Sequence, residues 1–95
     1  MKNIPLESKI QSDILKWLKS RPNTFTYKHE PVPAGIPDIH HIENGISFYF
    51  EVKRTAKDKP REIQKLRIKQ LKKAGAVAKV VRSLREVKDI IYKNV

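Results

Sequence analysis

The dipeptide Asn44-Gly45 constrains this chain more than any other feature. It stands between two stretches rich in β-forming residues, Asp38 to Ile42 and Ile46 to Lys53. Asn-Gly is the strongest short signal for a β-hairpin, because both residues tolerate the positive φ of a two-residue turn. Such a turn also fixes which residues face each other. Glu43 then pairs with Ile46, Ile42 with Ser47, His40 with Tyr49 and Asp38 with Glu51. One face carries Asp38, His40, Tyr49, Glu51 and Lys53. The other carries Ile39, Phe48, Phe50 and Val52, an apolar set suited to a core, and His41 falls on that side.

Opposed side chains in a hairpin have Cβ atoms about 5 Å apart, and like charges there are destabilising. Asp38 and Glu51 at that spacing call for a cation between them or a proton on one. Lys53, two residues beyond Glu51 on the same face, offsets only part of the charge. A divalent metal offsets the rest, and an all-oxygen ligand set favours Mg²⁺, with Mn²⁺ as substitute. The plainer reading is a surface hairpin with a solvated Glu51–Lys53 pair and no metal. His29, His40 and His41 match no standard zinc spacing. With no cysteine in the chain, disulfides and thiolate sites are excluded.

The net charge of +11 is unevenly placed. Residues 1–52 carry six basic and six acidic side chains, whereas 53–95 carry fifteen basic and four acidic. A field so lopsided attracts polyanions, nucleic acid foremost. Solubility or an acidic protein partner would give the same composition. Gln11, Arg54, Lys57, Lys59, Arg61, Lys65, Arg67 and Lys69 are the candidate nucleic-acid contacts. No aromatic-rich platform for a single strand is legible. The 95 residues suit one domain, 1–95. There is no apolar run of membrane-spanning length and no signal-peptide core at Met1–Gln11. A soluble, cytoplasmic protein is the expectation.

Along the rest of the chain, Leu6, Ile10, Ile14 and Leu18 recur at helical spacing over Pro5–Ser20. Thr24–His29 reads as a strand and the proline-rich Glu30–Pro37 as a loop. Thr55–Lys59 is polar and should be a loop. Pro60–Ala74 reads as a helix with Ile63, Leu66 and Leu71 inward and Gly75 as its stop. Ala76–Val81 reads as a strand buried on both faces. Ser83-Leu-Arg-Glu86 reads as a capping box opening a last helix. The expected order is α-β-β-β-α-β-α, an α/β fold with a four-stranded mixed sheet flanked by helices.

Gly35-Ile-Pro-Asp38 followed by Phe50-Glu-Val-Lys53 resembles the PD-(D/E)xK nuclease motif. With Glu7, Gln11, Gln64 and the strand Ala76–Ser83, nearly the whole chain resembles the virus-type replication-repair nuclease (VRR-NUC) domain, in its stand-alone form. The resemblance implies a restriction-endonuclease-like core and a metal-dependent DNA endonuclease. It implies a homodimer cutting branched DNA such as four-way (Holliday) junctions, of the kind found in DNA repair and in phage. A phage protein of this kind would work in the bacterial host cytoplasm. The resemblance further implies that Asp38, Glu51 and the Val52 carbonyl ligate the metal, with Glu7 reaching it directly or through water. Lys53 would act on the attacking water or on the phosphate, and Gln64 would hold a phosphate or brace Lys53. By position alone Glu7 reads as a first-turn glutamate complementing a helix dipole. A sequence-specific restriction-type nuclease and a non-catalytic DNA-binding or assembly protein are the competing readings.

Overall fold

The computed structural model describes residues 5–29 and 34–95; the expected loop positions 30–33 lie outside the described residues. The order is α1 (Glu7–Ser20), β1 (Thr24–Lys28), β2 (Ile39–Glu43), β3 (Ile46–Val52), α2 (Glu62–Lys73), β4 (Val77–Val81) and α3 (Leu84–Asn94). The strands form one mixed sheet in the order β1-β2-β3-β4. The first two pairings are antiparallel and β3–β4 is parallel, as the crossover through α2 requires.

The hairpin register is the one the turn dictates. Ile39 pairs with Phe50, His40 with Tyr49, His41 with Phe48, Ile42 with Ser47 and Glu43 with Ile46. Asn44 and Gly45 adopt φ of 55° and 76°, both in the left-handed region. The ladder ends one pair short of the expected strand. Asp38 sits in a bend just before β2, although its carbonyl still accepts from His29 N–H at 2.8 Å.

The core lies between one sheet face and helices α1 and α3. It comprises Ile10, Ile14 and Leu18 of α1, Ile39, Phe48, Phe50, Val52 and Val81 of the sheet, and Val87 and Ile91 of α3. Their spacing of four residues places each helical set on one stripe. His41 is fully buried here, and its Nδ1 hydrogen-bonds with Thr26 Oγ1 at 2.6 Å. At the end of α1, Arg21 forks onto Glu43, with Nε and Nη2 each 2.7 Å from a carboxylate oxygen. The guanidinium also lies over the rings of Trp17 and Tyr92. This pair ties α1 to β2.

Four expectations need correction. Pro5 and Pro60 lie outside their helices: Pro5 O accepts from Arg54 Nε, while α2 begins after Arg61. Leu66 is not inward but 46% exposed. The buried stripe of α2 runs through Gln64 and Ile68, and a residue two positions from Gln64 is turned about 200° away. Strand β4 is not buried on both faces, because it is a sheet edge and Lys79 is exposed. The capping box at α3 is displaced: Ser83 Oγ accepts from Glu86 N–H, but Glu86 Oε2 accepts from Arg82 N–H instead of Ser83. Among the described residues, no helix is long and apolar enough to cross a membrane.

Candidate active site

The polar face of the hairpin gathers the acids. By strand alternation Tyr49 and Glu51 of β3 share a face with His40 of β2 and with Ala78 and Val80 of β4. Glu51 is buried, and Lys53 Nζ lies 3.4 Å from its Oε2. Asp38 is half-buried in the bend just before β2. Gln11 of α1 donates from Nε2 to Asp38 Oδ2. Asp38 Oδ1 is buried with no hydrogen-bond partner.

Both carboxyls are held above their usual range. Burial is the main cause at Asp38, and the neighbouring Glu7 charge adds to it. At Glu51 burial again leads, followed by the Asp38 charge, with Lys53 pulling the other way. The two acids therefore feel each other, and both feel Glu7. Glu7 is exposed at the start of α1 and lines a cleft with Lys53, Arg54, Lys57, Asp58 and Lys59.

Among the described residues, no three His, Cys, Asp or Glu side chains converge on one metal position. Mg²⁺ keeps several waters and is commonly held through one or two protein carboxylates. A buried carboxylate oxygen without a donor, beside a second buried carboxylate, is a polar arrangement that a hard cation completes. Asp38 and Glu51 thus fit the cation. Val52 is buried at the end of β3, next to Glu51.

The expected nucleic-acid contacts fall into separate groups. Arg54, Lys57 and Lys59 surround the acid cleft. Lys65 and Lys69 line a second groove, between α2 and β4, with Lys72 and Lys79. Arg67 donates to Ala34 O and Gln70 Oε1, bracing the loop before Asp38. Arg61 caps α2, and the buried Gln64 accepts from its N–H through Oε1 at 2.8 Å. Gln64 thus makes a helix-terminal bond rather than any contact with Lys53 that the structure displays. Gln11, expected on DNA, reaches Asp38 instead.

Two features escaped the sequence. Arg82 anchors the basic loop, donating from Nε to Thr55 O at 2.8 Å and from Nη2 to Asp58 O at 3.1 Å. Asp58 in turn accepts from Thr55 N–H and hydroxyl. An arginine 27 residues away leaves no local signal for this. The second is a row of rings, Phe25, Tyr27, His29, His40 and Tyr49, on the same sheet face as the acids.

No family model matches the sequence, and no curated protein matches it. Solved structures do. One, a "VRR_NUC domain protein", superposes with a TM-score of 0.76 at 22% identity, covering 95% of this chain and 88% of that one. Another, a "VRR_NUC domain", gives a TM-score of 0.73 at 25% identity, covering 90% of this chain and 94% of that one. Element order, mixed four-stranded sheet and flanking helices are those expected of the α/β fold read from the sequence. Over nearly its whole length, this chain shares the fold of these VRR-NUC structures.

Proposed function

We propose that this protein is a divalent-metal-dependent endonuclease that hydrolyses phosphodiester bonds in DNA. The observation that carries the proposal is a half-buried Asp38, with one oxygen buried and unpartnered, whose charge acts on the buried Glu51, with Lys53 against Glu51. The VRR-NUC fold supports it. Branched DNA such as a four-way junction is the proposed substrate, and a homodimer the working form. A two-fold pair of sites would suit a junction with approximate two-fold symmetry.

Asp38 and Glu51 would hold Mg²⁺ or Mn²⁺, with the Val52 carbonyl beside them and Glu7 acting through water. Such an ion supplies Lewis acidity at the phosphate and lowers the pKa of water. The protein's own groups do the rest. Gln11 fixes the rotamer of Asp38 through its amide hydrogen bond. Glu51 holds the Lys53 ammonium at the mouth of the cleft, where it donates to the attacking water or to a phosphate oxygen as negative charge develops. Arg54, Lys57 and Lys59 on the loop anchored by Arg82 fix the DNA backbone without reading sequence. Gln64 supports the site indirectly by closing the first turn of α2. Water oxygen attacks phosphorus, the P–O3′ bond breaks, and the 3′ oxygen takes a proton. The products are 5′-phosphate and 3′-hydroxyl ends.

The test is cleavage of a synthetic four-way junction and of a matched linear duplex, with Mg²⁺ and with EDTA, by the native protein and by Lys53→Ala. The expected result is metal-dependent cutting that favours the junction and falls by at least ~100-fold in the variant, the scale of one lost transition-state contact. DNA binding by both proteins with no cutting by either would instead identify a non-catalytic DNA-binding protein.

A further inference from the structure

The face that carries the acids continues onto β1 and β2 as a row of rings. Phe25 and Tyr27 lie 5.6 Å apart between centroids, Tyr27 and His29 5.0 Å, and Tyr27 and His40 5.2 Å. His40 stacks on Tyr49 at 4.2 Å with planes 9° apart. The inner members are fixed: His40 is buried, and its Nδ1 hydrogen-bonds with Tyr27 Oη at 2.9 Å. The outer members are open. Phe25 is 62% exposed, and Tyr27 and Ile42 are each 37% exposed. Register pairs Phe25 with Ile42 and Tyr27 with His40, and sets His29 beside Asp38. The open end is therefore four residues along β1 from the acid end, about 14 Å at strand rise.

Phe25, Tyr27 and Ile42 together make a contiguous exposed apolar patch, the kind of surface that marks an interaction site. The row is continuous with the acid pair, and the protein that bears it carries +11 charge. Arg54, Lys57 and Lys59 line the cleft at the acid end of the row, so a polyanion is drawn there and can lay its flat apolar faces on the rings. We infer that Phe25 and Tyr27 form a stacking platform for unpaired bases of a nucleic acid strand whose backbone runs toward Asp38 and Glu51. Stacking on aromatic side chains is tolerant of base identity. At 3.4 Å per stacked base, 14 Å places the stacked bases within about four nucleotides of the acids. Within branched DNA, the platform favours substrates that carry unpaired nucleotides next to the cut over those whose arms are fully paired. This inference rests on the nuclease reading for its direction toward the acids, but its binding test does not depend on cleavage.

The experiment measures fluorescence anisotropy in EDTA with a labelled oligothymidylate about 15 nucleotides long, and with a blunt duplex of equal length. The proteins are the native chain, Phe25→Ala and Phe25→Trp. Phe25→Ala is expected to weaken single-strand binding by about five- to 150-fold, the stacking scale of one base, and to leave duplex binding within about twofold. Phe25→Trp is expected to retain single-strand binding. Equal loss on both probes, or no loss on the single strand, would overturn the inference. So would a change from dimer to monomer in Phe25→Ala by sedimentation, which would assign the face to self-association. Because Phe25 is exposed, the substitution leaves the core intact, and an unchanged melting temperature verifies this. Failure to cut any DNA with Mg²⁺ would remove the nuclease reading and leave the single-strand result standing.

Discussion

Replacing Asp38 by Asn should stabilise the metal-free protein at neutral pH, although it removes a central residue of the proposed site. Asp38 carries one oxygen bonded by Gln11 and one buried without a partner. Its charge also acts on Glu51. Leaving a buried polar group unsatisfied costs about 1–3 kcal/mol, more when it is charged. Asn keeps the oxygen that Gln11 needs and loses the charge, so a net gain of about 1 kcal/mol is expected once the imperfectly bonded amide is allowed for. For a domain of this size that is a rise in Tm of about 4–8 °C. The pH dependence follows from the direction of the shifts. Both acids have folded-state pKa values above their ordinary 3.8 and 4.5. Their stabilisation is complete below those ordinary values and is lost as pH rises through the folded values. In EDTA, native stability should therefore fall from this source as pH rises from about 4, and Asp38→Asn should flatten that fall. The assay is thermal unfolding by circular dichroism in EDTA at pH 4, 5.5 and 7. An equal or lower Tm for Asp38→Asn at pH 7, or a difference independent of pH, would refute the reasoning.

Three other substitutions probe the supports of the site. Gly35→Ala should destabilise by about 2 kcal/mol or more, because a Cβ there would lie 2.6 Å from Ile63 O and Gly35 has φ of 77°; a Tm unchanged within error would contradict the close approach of this loop to α2. Glu43→Gln should cost about 1–3 kcal/mol in denaturant titration at pH 7 by weakening the Arg21 fork. Arg21 holds the Glu43 carboxyl below its ordinary value, so this stabilisation is present above about pH 4.5 and lost as pH falls through the folded value; a penalty that persists undiminished at pH 2 would exclude the charge as its source. Gln11→Ala should weaken Mn²⁺ binding by about 10- to 100-fold, the scale for a residue that orients a metal ligand, with little change in melting temperature. Unaltered affinity would reduce the Gln11–Asp38 bond to a bystander.

What was legible in the sequence was what local rules determine. Asn44-Gly45 fixed every pairing of β2 with β3, and through it the sides on which Phe48, Phe50 and Glu51 fall. The stripe Ile10, Ile14, Leu18 gave α1 its buried face. What failed depended on neighbours distant in the chain. Leu66 was misjudged because the second helix turns Gln64 and Ile68 inward, and a buried glutamine is not what hydrophobic periodicity seeks. The end strand looked doubly buried because its apolar run does not reveal that it lies at the sheet edge. Gln11 reaches Asp38 across 27 residues, and the ring row joins Phe25 and Tyr27 to Tyr49 only after three strands have paired. Neither has a local signature. The turn also leaves Asp38 and Glu51 one position beyond the last pair of the ladder, near enough for the Asp38 charge to act on Glu51.

The most direct measurement of the central claim is titration calorimetry of Mn²⁺ into the native protein, Asp38→Asn and Glu51→Gln, at pH 7 and in the absence of DNA. The account predicts saturable binding by the native chain and a loss of about tenfold or more in each variant, since each removes one of two charged oxygen ligands. Native-like affinity in either variant would mean that the two acids do not share one cation.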